Sequence, residues 1–181
     1  MERYRMVFSG SGGQGVITAA IILAEAAVLY ENLNAVQSQS YGAEARGGAT
    51  RSDVIISDST IHYPKVIQPN VLVCLTQEAY NKFYPIIRPG GLLITDSRYV
   101  KIERKVDAQQ RELPISETVM EKIGKPIVIN ICMLGVVVNL TELVQPESIM
   151  KVLETRIPAD FLELNRTALD LGLALLNHQE N

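Results

Sequence analysis

The sequence predicts an α/β fold: a mostly parallel sheet with helices on both faces and a Rossmann-like glycine loop after the first strand. Three observations carry this. Short apolar runs bounded by Gly, Pro and Asp alternate with helical segments along the chain. The run Val71 to Thr76 has the near-continuous apolar character of a strand buried on both faces. A glycine turn stands between the first strand and the first helix.

Taken in order, residues 4–9 (YRMVFS) form a strand and 10–15 (GSGGQG) a turn. Val16 to about Tyr30 is a helix, apolar nearly all round until Glu25. Such a helix is covered on more than one side. One side is expected to meet its own sheet and the other a second chain. Residues 34–40 read as a second strand, 41–48 (YGAEARGG) as a loop, and 49–57 as a third strand. Ile61 to Asn70 is a proline-containing connector. After the strand Val71 to Thr76 come a helix from Gln77 to Ile87 and a strand from Leu92 to Thr95. Arg98 to Arg111 is a loop or an edge strand. Ser116 is expected to cap a short helix ending at Ile123. Pro126 to Asn130 starts a strand or helix, and Ile131 to Leu143 reads as an apolar helix. Pro146 to Thr155 is a helix with proline at its first position. The closing helix, Pro158 to Leu176, carries an apolar stripe of Phe161, Leu164, Ala168, Leu171 and Leu175.

Residues 1–181 suit a single domain, since domains run to about 100–200 residues. The net charge of -3 provides no basic field for nucleic acid. The apolar runs Ala19 to Ala24 and Ile131 to Val138 fall short of the ~20 residues that cross a bilayer. MERYRMVF is not a signal peptide, so a soluble, cytoplasmic protein is expected. Cys74 and Cys132 each lie in an apolar run and read as reduced core thiols. With His62 and His178 the only histidines, a His-rich metal site is excluded.

Gly10, Gly12 and Gly15 match the G-x-G-x-x-G pattern after a strand and before a helix. With Ser11, Gly13 and Gln14 they form a candidate anion or interface loop. A dinucleotide site would also place an acid about 20 residues further on. No acidic residue lies between Asn32 and Ala43, where the strand end offers Gln37, Ser38, Gln39 and Ser40. Nicotinamide binding is thereby disfavoured. A different anion, or a turn that only packs helix on strand or on another subunit, stays open. The second constellation comprises Gln39, Tyr41, Gly42, Glu44, Arg46, Gly47 and Gly48, a candidate partner interface. Glu44 and Arg46 can pair with each other or lock the loop to a partner. Both loops fall at the carboxyl edge of the sheet and should be neighbours.

GSGGQGV at 10–16 and QSYGAEARGGATRSDVIIS at 39–57 resemble the two hallmark segments of the gamma chains of 2-oxoacid:ferredoxin oxidoreductases. The stretches at 63–80 and 89–97 are similar too, so the resemblance covers residues 5–97 closely. Ala43 stands where many relatives have proline. The resemblance implies a complex that oxidatively decarboxylates a 2-oxoacid, with 2-oxoglutarate favoured, to an acyl-coenzyme A while reducing ferredoxin. Pyruvate, 2-oxoisovalerate and indolepyruvate are the alternatives. It implies thiamine diphosphate, Mg and 4Fe-4S clusters on alpha, beta and ferredoxin-like delta chains, with coenzyme A approaching nearby. It assigns no catalytic residue, metal or tightly held cofactor to this chain. Two cysteines cannot hold a four-cysteine cluster, and no magnesium-diphosphate motif is present. A non-catalytic anion-binding interaction module is the competing reading.

Overall fold

The computed structural model describes residues 3–40 and 48–176. Among the described residues six strands form one sheet: β1 (Tyr4–Ser11), β2 (Asn34–Gln39), β3 (Ala49–Ser57), β4 (Val71–Cys74), β5 (Gly91–Asp96) and β6 (Ala108–Leu113). Six α-helices accompany them: α1 (Val16–Tyr30), α2 (Gln77–Phe83), α3 (Ile115–Lys122), α4 (Ile129–Thr141), α5 (Pro146–Arg156) and α6 (Ala159–Ala174). The strand order is β2-β3-β1-β4-β5-β6. β3 runs antiparallel to both its neighbours, and β1, β4, β5 and β6 are mutually parallel. The mostly parallel α/β sheet read from the sequence is therefore present, with one reversed strand inside it.

Alternation along β1 divides the core. Met6 and Phe8 face a large cluster shared with α1, α3, α4, α5 and α6. Val7 faces a smaller cluster with Ala79, Tyr80 and Phe83 of α2. Helices thus cover both faces, five on one and one on the other. The connectors around Val66 and Val100 complete the thinner side.

Several expectations change in detail. The first strand continues through Gly10 and Ser11, which pair with Thr50 and Ala49, so the turn proper begins at Gly12. The far side of α1 meets α4 and α5 of its own chain, while Val28, Leu29 and Tyr30 at its end are exposed. Eight of its residues, from Val16 to Ala27, are buried there and against the sheet. Ser116 does not cap α3; Pro114 holds that position. The Ser116 hydroxyl and amide instead donate to the Asp96 carboxylate, which also accepts from the Arg98 amide. Asp96 thereby ties the end of β5 to α3, and burial pushes its carboxyl above the ordinary range.

On α6 the buried residues are Asn165, Ala168, Leu169 and Gly172, while Phe161 is 49% exposed. The helix turns its smallest residues towards α4 because the two backbones nearly touch. A Cβ built at Gly172 would be driven into the Cys132 carbonyl and stand 3.0 Å from the Gly135 Cα.

A surface ion pair joins α1 to α5: Arg156 donates to both oxygens of Glu25. The hydrogen bond from Arg156 holds the Glu25 carboxyl below its ordinary value. A depressed carboxylate stabilises above its unfolded pKa, and that contribution is lost as pH falls through the folded pKa. Both side chains are more than a third exposed, which screens the pair. Glu25→Gln should lower Tm by no more than about 3 °C at neutral pH, and the difference from wild type should vanish in acid melts.

Candidate functional site

The carboxyl ends of β1 and β4 diverge onto opposite faces of the sheet. β1 leads into α1 on the thick side, and β4 leads into α2 on the thin side. In open α/β sheets such a switch of side opens a crevice at the carboxyl edge, where ligands gather. The glycine loop borders it. Gly13 (φ 88°) and Gly15 (φ 72°) both adopt left-handed backbone. The loop is tied internally, since the Gln14 side-chain carbonyl accepts from the Ser11 amide at 2.7 Å.

Gly15 occupies the N-cap of α1, so no side chain caps the helix, and its first turn holds no acid. Bare amides at a helix start favour an anion. Asn130, at the start of α4, donates to the Gly15 carbonyl at 3.2 Å. It is 7% exposed, and its Oδ1 has no hydrogen-bond partner among the described residues. Two grooves meet at Gly13. One, of about 650 Å³, lies between Gln14, Thr76, Gln77, Tyr99 and Ile127. The other, of about 420 Å³, lies between Gly15, Thr18, Asn130, Arg156 and Phe161. Ile127, which borders both, is 77% exposed.

The second constellation is partly visible. Tyr41, Gly42, Glu44, Arg46 and Gly47 lie outside the described residues. Gln39 ends β2, and Gly48 immediately precedes β3. Ala49 pairs with Ser11, so the described ends of the two loops are neighbours, as their positions at one sheet edge imply. Gly48 (φ 83°) sits so close to the Glu78 carboxylate that a Cβ would overlap it. Glu78 lies in the first turn of α2, where Thr76 caps the helix by accepting from the Ala79 amide at 3.2 Å.

Asn130, Thr76 and Glu78 were missed as site residues. Asn130 carried a signal: it is a polar residue within the apolar run from Ile127 to Val138. Thr76 and Glu78 offered only an ordinary helix start.

The strand order also departs from that of a dinucleotide-binding sheet. In that fold the second strand lies beside the first, so its acid reaches the bound ribose. Here β3 separates β2 from β1. The residues do not fit thiamine diphosphate or an iron–sulfur cluster either. Cys74 and Cys132 are buried free thiols on β4 and α4, and burial pushes both up to about 12. Among the described residues no three His, Cys, Asp or Glu side chains stand together as a metal site. His62 is exposed on the connector, and His178 lies outside the described residues. No described helix is long and apolar enough to cross a membrane.

Known proteins share this chain's sequence and fold. The family model for pyruvate ferredoxin/flavodoxin oxidoreductase matches residues 5–175. The 2-oxoglutarate synthase subunit KorC of Methanocaldococcus jannaschii is 45% identical over 172 residues, which is 94% of this chain and 92% of that one. The gamma subunit of a keto/oxoacid ferredoxin oxidoreductase from Geobacter sulfurreducens superposes with a TM-score of 0.88 at 43% identity, covering 97% of this chain and 99% of that one. The fold recurs, at 22% identity and a TM-score of 0.87, within 32% of a longer chain of the 2-oxoglutarate:ferredoxin oxidoreductase from Magnetococcus marinus, while covering 98% of this one. By its sequence over almost its whole length, this chain belongs to the pyruvate ferredoxin/flavodoxin oxidoreductase family, with the fold of a gamma subunit.

Proposed function

We propose that this chain is the gamma subunit of a cytoplasmic 2-oxoglutarate:ferredoxin oxidoreductase. The observation that carries this is the 45% identity to a 2-oxoglutarate synthase subunit along nearly the full length of both chains. The complex would convert 2-oxoglutarate and coenzyme A to succinyl-coenzyme A and carbon dioxide, with two electrons passing to ferredoxin. The decarboxylating cofactor and the clusters belong to alpha, beta and delta partner chains. This chain's part is assembly, with its glycine-loop crevice bordering the coenzyme A approach. The bare α1 N-terminus supports that place, because it favours a phosphate or carboxylate. The exposed rings and aliphatic side chains around the crevice support contact with a further surface.

Anaerobic co-purification from the native host, with viologen reduction by 2-oxoglutarate and coenzyme A as the assay, tests the proposal. Larger chains arriving with dye-reducing activity are expected. Pyruvate or a branched 2-oxoacid outperforming 2-oxoglutarate would reassign the substrate, and a well-folded chain eluting alone would remove the subunit reading. Gly13 gives a local probe. A Cβ there meets no atom within 4 Å, so the added carbon itself has room, although a side chain at this positive φ strains the backbone and projects where both grooves meet. Gly13→Val should reduce kcat/KM for coenzyme A in the assembled complex about ten-fold, mainly through KM. An unchanged KM would make the loop an ordinary surface turn.

A further inference from the structure

A second feature lies at the opposite, amino edge of the sheet, away from the glycine loop. Arg5 near the start of β1, Lys65 on the connector and Arg88 before β5 line a hollow of about 720 Å³ with Tyr63, Ile67 and Gln68. Among the described residues three cations and no carboxylate line it, against a net charge of -3 for the chain. Tyr63 is 55% exposed and Ile67 70%, a large apolar area to leave in water.

The segment that presents these groups is pinned from beneath. Val66 points inward and is buried. Its amide donates to Asp53 at 3.0 Å, and its carbonyl accepts from Arg51. Ser38 donates to the Pro64 carbonyl at 3.1 Å. The Asn70 amide donates to the Arg5 carbonyl at 2.7 Å, and the Arg88 amide to the Pro69 carbonyl at 3.2 Å. Val66 is turned in, and Lys65 and Ile67 on either side of it are exposed. A surface ordered before contact loses little entropy on binding.

We propose that this hollow docks a carboxylate-bearing surface of a thiamine-binding subunit of the same complex, with Lys65 and Arg5 meeting its acids and Tyr63 and Ile67 its apolar part. The inference rests on the subunit reading above. Charge complementarity selects an acidic partner. The exposed tyrosine and isoleucine select a protein surface over a small anion, because such side chains anchor protein interfaces.

The test uses tagged full-length chain in its native host, with recovered thiamine-binding chains identified and quantified by mass spectrometry. Lys65→Glu should cut their recovery about ten-fold at roughly 100 mM salt, and Lys65→Arg should restore it. Tyr63→Ala should lower it without altering the salt dependence. Lys105→Glu, on the exposed loop before β6, should leave it unchanged. Because Lys65 is exposed, an unaltered melting curve for Lys65→Glu is expected and separates docking from folding. Full recovery with Lys65→Glu would overturn the inference while leaving the subunit reading intact. Pyrophosphate binding that Lys65→Glu abolishes, with partner recovery unaffected, would make the hollow a small-anion site instead. Wild-type chain that recovers no thiamine-binding chain would remove the subunit reading and this inference with it.

Discussion

Gly15→Val should destabilise the chain by about 3 kcal/mol and reduce dye reduction by the complex more than ten-fold. Two costs add. A β-branched residue at φ 72° is a backbone outlier, and such strain costs roughly 1–3 kcal/mol. Its Cβ would also stand 2.5 Å from the Asn130 Nδ2 and 2.9 Å from its Cγ. Asn130 must then leave the Gly15 carbonyl, opening the joint between the glycine loop and the start of α4. Gly12 is the control. It lies outside the positive-φ residues, and a Cβ there meets nothing within 4 Å, so Gly12→Ala should change stability by no more than about 0.5 kcal/mol. Thermal melting of the isolated chain and turnover of the assembled complex read the two effects separately. A Gly15→Val protein matching Gly12→Ala in both would mean that the Asn130 joint carries no function.

The second large effect lies far from the crevice. Gly172→Val should cost about 4 kcal/mol or more, lowering Tm by roughly 8–16 °C in a domain of this size. The added Cβ would enter the backbone carbonyl of Cys132, which no rotamer change can move aside. Asn139 also donates to the Leu173 carbonyl across the same pair of helices, so they cannot separate locally without losing that bond. Circular dichroism melts of wild type, Gly172→Ala and Gly172→Val should form a descending series. Equal melting temperatures would show that α4 and α6 do not approach so closely.

How much of this was legible beforehand differs from element to element. The strand–turn–helix unit around the glycine loop, the buried strand at Val71 and the proline-started α5 all follow from local patterns. Each is decided by residues adjacent in the chain: glycine for left-handed backbone, apolar residues for a strand covered on both faces, proline for a first helical turn. The stripe on α6 followed in part: Ala168 and Leu175 are buried and Leu164 and Leu171 pack on the core, whereas Phe161 is exposed and the close backbone approach at Gly135 and Gly172 buries Asn165 and Leu169 as well. Ser116 looked like a cap by residue type, but Asp96, twenty positions earlier, took both its hydroxyl and its amide. The candidate loop at 10–15 was found, and its partner Asn130 was not, because their hydrogen bond spans 115 positions.

By itself the sequence determined the family, the α/β class, the glycine turn between the first strand and first helix, and the lack of a four-cysteine cluster. These depend on residue type and short spacing. Tertiary structure alone decided that β3 inserts antiparallel between β1 and β2, and with it the loss of dinucleotide geometry. It alone decided that α4 and α5 cover the far side of α1, and that Arg5, Lys65 and Arg88 converge at the far edge. The physical reason is common to all three. Strand order, helix cover and charge convergence are set by contacts between segments distant in sequence, and local patterns carry no information about which distant segment fills the space beside them.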